Sequence, residues 1–308
     1  MKVETPIKEV SDNNRLKARV AEKLREAGMK ELPEDEVLER RALLETSSFG
    51  EDSEIISRGM PRIFEYLKLH HPQLCPPQEF TEERKIDGEV AAQLHDIGKV
   101  GPPDATMEEQ QAILDLYSIR NVDPSGKELV VEIVKRMPEA AAGRVLDVLS
   151  RHGGYEGMTM RNFWDKHGEW TLEMLDRYPR GINSHVREIT ALHHADRGIN
   201  VKKFPGIRVS LESRTIGLFE EYVDAFQREA LMVLDKYQAQ VYRSGVAHEA
   251  AMDWLKAFFH KPKGQQQLGI EPDGEKKEGP GFENDPILDI ILEAIDDLGK
   301  QGEIFKEI

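Results

Sequence analysis

Apolar residues in this chain return every third or fourth position and almost nowhere every second one. No other feature restricts the fold as much, because that spacing lines one face of a helix and scatters across both faces of a strand. Ile63, Phe64 and Leu67 mark one face of 61–70; Val90, Ala91 and Leu94 mark 87–97; Phe163, Trp164, Trp170 and Met174 mark 162–177. Helical spacing also runs through 15–27, 34–44, 186–195, 216–242 and 248–259, whereas alternation is confined to short pieces such as 207–211. The expected class is all-α.

The chain has 308 residues, enough for one large or two modest domains. Its first 50 residues read as a helical extension, residues 51–260 as the main domain, and 261–286, rich in Gly, Pro, Gln and charge, as a flexible linker. Beyond the linker, 287–308 holds a helix with Ile290, Ile291, Ala294 and Leu298 on one stripe. That stripe either packs back on the domain or docks a partner.

Charge narrows the function classes. Asp and Glu number 57 against 42 Lys and Arg, a formal net charge of -15 that repels nucleic-acid backbones, so no nucleic-acid partner is expected. The single cysteine, Cys75, permits no internal disulfide and no thiolate zinc site. The first 14 residues lack the apolar centre of a signal peptide, and no apolar run approaches the roughly 20 residues of a spanning helix. The expectation is a cytoplasmic protein with no membrane partner.

Within the periodic segments sits an adjacent His95-Asp96 pair, in Leu94-His95-Asp96-Ile97-Gly98-Lys99. A carboxylate buried among apolar neighbours is strongly disfavoured unless a cation compensates it. Three further segments place similar groups on core-facing stripes. His167 lies between Phe163 and Trp170, His193 and His194 follow Ile189, and Asp235 ends the apolar run 230–234. Each alone has a structural explanation; four together point to a metal site. Imidazole and carboxylate without thiolate suit Fe, Mn, Zn or Co.

The stretch 94–105 resembles the HD-x-G-K segment of the HD phosphohydrolase superfamily, most closely its HD-GYP type, the cyclic dinucleotide phosphodiesterases. Residues 167–175 are similar to that family's next His helix, 189–206 to its double-His and Gly-Tyr-Pro region, and 234–251 to its last ligand helix and basic tail. The likeness spans 58–258, with an insertion over 105–160. It implies an HD-domain helical bundle. It also implies two divalent metal ions held by His95, Asp96, His167, His193, His194 and Asp235, with Asp96 bridging. Within that set, one ion is expected mainly on His95 and His167 and the other on His193 and His194. Lys99 would contact the scissile phosphate and Arg243 a substrate phosphate. The family's upstream His is absent near 59–63, leaving His70 or His71 as the replacement. The Gly-Tyr-Pro element is reduced to Phe204-Pro205-Gly206 after Lys202-Lys203, and Gln238 stands where Asp is common.

The activity expected is hydrolysis of a small phosphorylated substrate, a nucleotide or cyclic dinucleotide, by a metal-activated water. Competing readings are a catalytically degenerate domain that binds a nucleotide or partner, and a di-iron oxygenase on the same scaffold.

Overall fold

The computed structural model describes residues 7–123, 125–194, 222–260 and 286–306. The fold is all-α: among the described residues there is no strand, and the only sheet-like pairing is one antiparallel bridge between Leu129 and Thr159. The expected alternation at 207–211, Lys202-Lys203, Phe204-Pro205-Gly206 and nearly all of the linker lie outside the described residues.

Helix starts follow side-chain chemistry. Helix α1 (Ile7–Glu26) leads to α2 (Asp35–Leu44) and then to α3 (Ser48–His70), capped by Ser47, whose hydroxyl accepts from the Phe49 N–H. Thr81 caps α4 (Glu82–Leu94), and Thr106 with Glu109 forms a capping box on α5 (Met107–Tyr117). Such caps contribute about 1 kcal/mol each. Short α6 (Val130–Ile133) and α7 (Glu139–Arg151) precede α8 (Met160–Arg177), capped by Thr159, and α9 (Ser184–Ala191), capped by Asn183. Three helices follow: α10 (Tyr222–Gln238), α11 (His248–Phe259) and α12 (Pro286–Lys300).

Two differences from the sequence reading matter. Pro61 reads as a helix start, but it lies inside α3, which begins at Ser48. A proline removes one helical N–H bond, and the burial of Ile56, Met60, Ile63 and Phe64 on both sides of it keeps the helix continuous. The residues expected as an N-terminal extension also share the principal core, since Val20, Leu24 and Val37 cluster with Ile56, Val90 and Leu231. Helix α12 packs back on its own chain, burying Ile287, Leu288, Ile291 and Ile295 against that same core.

Residues of the expected insertion form a second core. Ile113, Leu116, Val130, Ile133, Val145, Val148 and Leu149 gather with Phe163 and Trp170 of α8. Helix α8 therefore lies on the seam, giving Met174 and Leu175 to the first core and Phe163 and Trp170 to the second. His167 occupies that seam.

Candidate metal centre

His95 caps the C-terminus of α4, and Asp96 opens the 3-10 turn Ile97–Val100. This turn presses directly on α8. A Cβ on Gly98 would lie 2.0 Å from the His167 carbonyl oxygen, so only glycine permits the approach. Thr171, fully buried one turn beyond His167, joins the two pieces. Its hydroxyl accepts from the Gly98 N–H at 3.0 Å and donates to the His95 carbonyl at 3.2 Å. Helix α9 is tied to α4 by the Thr190 hydroxyl, 3.4 Å from the Ala91 carbonyl. His193 and His194 stand just beyond α9, in the turn after its last helical residue rather than on the helix.

Helix α2 holds the other side. Buried Arg41 donates from Nε to the Gln93 carbonyl at 2.7 Å and from Nη2 to the Gln93 side chain at 3.0 Å, while pairing with Glu45 at 2.6 Å. Arg40 donates to the Gly101 and Pro103 carbonyls at 3.2 and 3.0 Å. The segment carrying His95 and Asp96 is thus clasped before and after by two adjacent arginines.

These supports bring five of the six expected ligands together. His167, His193 and His194 form one group, and His95, Asp96 and His193 another, with the donor atoms of each within 4.8 Å of one another. The grouping differs from the division implied by the resemblance, because His193 belongs to both sets. Asp96 stands between imidazoles, with Oδ2 3.5 Å from His95 Nε2 and Oδ1 3.5 Å from His167 Nε2.

Asp235 lies outside both groups. Its Oδ1 is 3.5 Å from Arg243 Nη2, and its side chain is 14% exposed, so it faces the cluster's edge and not open solvent. Burial pushes its carboxyl up, but Arg243, His95 and Lys236 outweigh that and hold it at about 2.

The ring nitrogens show what the cluster suits. Nδ1 of His95, His167 and His193 each meets the carbonyl three residues earlier: Ala92 at 2.7 Å, Trp164, and Thr190 at 2.6 Å. A carbonyl only accepts, so each Nδ1 carries the proton, and in the neutral ring each Nε2 offers a lone pair. His167 Nε2 and His193 Nε2 nevertheless face each other at 3.2 Å, and His194 Nε2 is 2.9 Å from His167 Nε2. His95 Nε2 is buried with no hydrogen-bond partner. Lone pairs converging in a buried space are repulsive unless a cation sits among them, so the donor set fits a divalent metal. Burial, reinforced by His95 and His167, lowers the His193 pKa well below the usual imidazole value and keeps that ring neutral. For Asp96 burial acts upward, but His95 and the Lys99 ammonium at 2.5 Å prevail and its carboxyl stays ionised.

Lys99 is buried, not a solvated helix-end lysine. Its ammonium pairs with Asp96 Oδ2 at 2.5 Å and lies 4.1 Å from the centre of the Phe49 ring. Arg243, in the π-helical turn Ala239–Arg243, pairs through Nε with Asp52 Oδ2 at 3.1 Å. Gln238 donates to the other Asp52 oxygen. Neither His70 nor His71 reaches the site. His70 stacks on Tyr66 and His71 pairs with Glu293 at 3.2 Å, at the end of α3 remote from Asp52. Eighteen helical residues separate Asp52 from His70, about 27 Å along the axis.

Asp52 is the residue that sequence reasoning passed over. The available signal was its place between Phe49 and Ile56 on an apolar face, a position as unfavourable for a lone carboxylate as that of Asp96. No protein family, curated protein or solved structure matches the chain. No described helix is long and apolar enough to cross a membrane.

Proposed function

We propose that this protein is a divalent-metal-dependent hydrolase of phosphoesters in small, nucleotide-like substrates. The observation that carries the reading is the convergence of His95, His167 and His193, each with its Nδ1 proton held by a backbone carbonyl, on ionised Asp96. His167, His193 and His194 would hold one ion. His95 and Asp96 would hold a second, with Asp235 nearby and the two oxygens of Asp96 directed to both sides. A divalent cation in this setting supplies Lewis acidity, making water nucleophilic near neutral pH and offsetting phosphoryl charge.

The chain's own groups do the remaining work. Thr171 and Gly98 keep Asp96 beside His167. Lys99 brings a buried ammonium to the same carboxylate and is the donor for a non-bridging phosphoryl oxygen. Phe49 and Tyr117 shield that side from water, with the Tyr117 ring 6.2 Å from the His167 ring. Lys99 favours phosphoester chemistry over the oxygenase reading, because a buried ammonium beside Asp96 would offset phosphoryl charge.

Elemental analysis of the purified protein and hydrolysis of bis(p-nitrophenyl) phosphate with added Mn²⁺ or Fe²⁺ test the proposal. Bound divalent metal and turnover are expected, with Asp96→Asn abolishing turnover and lowering the metal content in a folded protein. Full activity in Asp96→Asn, or no metal uptake at all, removes the hydrolase reading. Iron with substrate-dependent O₂ consumption would favour the oxygenase instead.

A further inference from the structure

A cavity of about 490 Å³ opens between the start of α3, the end of α5 and Arg243. Its inner wall is Phe49 and Tyr117, the rings that carry Lys99 at 4.1 Å and His167 at 6.2 Å on the metal side. The cavity and the metal centre therefore share one aromatic partition. The volume falls within the range of small-molecule sites and exceeds what one phosphate group needs.

In a chain of net charge -15, two arginines, Arg120 and Arg243, line this opening. Arg243 projects from the π-helical turn with its orientation fixed by Asp52 and Asp235. Arg120, just past α5, lines the opposite side and forms no ion pair among the described residues. Ser47, whose hydroxyl donates to the Leu44 carbonyl at 2.8 Å, and Ser48 bring the first turn of α3, whose N-terminal end adds partial positive charge. Asp115 also lines the opening, with its carboxylate turned to the Gln111 amide at 2.8 Å.

We propose that this cavity is a second anion subsite, recognising a phosphate of the substrate other than the one hydrolysed, with Arg120 as its specificity-determining residue and Asp52 as the positioning residue for Arg243. The inference rests on the hydrolase reading and narrows it to molecules carrying at least two phosphate groups.

Binding of inorganic pyrophosphate to the full-length protein, measured by calorimetry with and without Mn²⁺, tests it. Wild type should bind in both states. Arg120→Gln, an exposed substitution whose thermal melt checks folding, should weaken binding about tenfold in both, the loss expected for one charge-assisted hydrogen bond. Rising salt should weaken the wild type further. Binding only in the presence of Mn²⁺ would place the anion on the metal centre and overturn the subsite, as would wild-type affinity in Arg120→Gln. Arg120-dependent pyrophosphate binding in a protein that takes up no Mn²⁺ would support the subsite while removing the hydrolase reading.

Discussion

Replacing Thr171 by valine isolates the joint that the metal centre depends on. Valine keeps the shape of the side chain and removes only the hydroxyl, which accepts from the Gly98 N–H at 3.0 Å and donates to the His95 carbonyl at 3.2 Å. The buried Gly98 N–H then loses its acceptor, at a cost of about 1–3 kcal/mol, and the lost bond to His95 adds about 1 kcal/mol. The extra buried methyl returns about 0.8 kcal/mol. The net loss is about 2 kcal/mol, or a fall in Tm of about 3 °C for a chain of 308 residues. Mn²⁺ affinity should fall as well, because Asp96 and His167 lie on the two pieces that the hydroxyl joins. Thr171→Ser is the control: it keeps both bonds and loses one methyl, about 0.8 kcal/mol. Calorimetric melts of the three proteins give the order wild type, serine, valine. A valine variant as stable as the serine variant would refute the argument, since the hydroxyl would then hold nothing together.

Arg41→Met should destabilise the protein by about 3 kcal/mol in urea titration, because it strips the Gln93 carbonyl and Glu45 of a buried cation, with Lys23 at 3.2 Å compensating Glu45 only in part. Wild-type stability in that variant would show that the clasp on α4 is dispensable. Burial pushes the Cys75 thiol up to about 11, so at pH 8.5 native protein should resist iodoacetamide while urea-unfolded protein, with an ordinary thiol near 8.5, reacts readily. The sign for stability follows: the folded value lies above the unfolded one, so the contribution of Cys75 is complete below about pH 8.5 and declines as pH rises toward 11. A Cys75→Ala variant should lose that alkaline decline, and equal alkylation rates in folded and unfolded wild type would contradict the burial.

Much of this protein was written into its one-dimensional pattern. Spacing of three and four established the all-α class and the places of α8, α10 and α11, because local periodicity decides which face of a helix is apolar. The same patterning exposed His95, Asp96 and His167, since a charge or imidazole on a core stripe contradicts its neighbours and needs a partner. Contacts between distant segments carry no such local trace. Asp52, Arg41 and Thr171 are ordinary helix residues until α3 brings Asp52 to Arg243 and α2 clasps α4, and until Gly98 lets the 3-10 turn touch α8. His70 and His71 illustrate the converse: their separation from His95 in the chain suggests a ligand, and the unbroken length of α3 carries them to the wrong end. Tertiary packing alone decided which polar groups meet, because a helix fixes directions within itself while the burial of two separate cores fixes where one helix stands against the next.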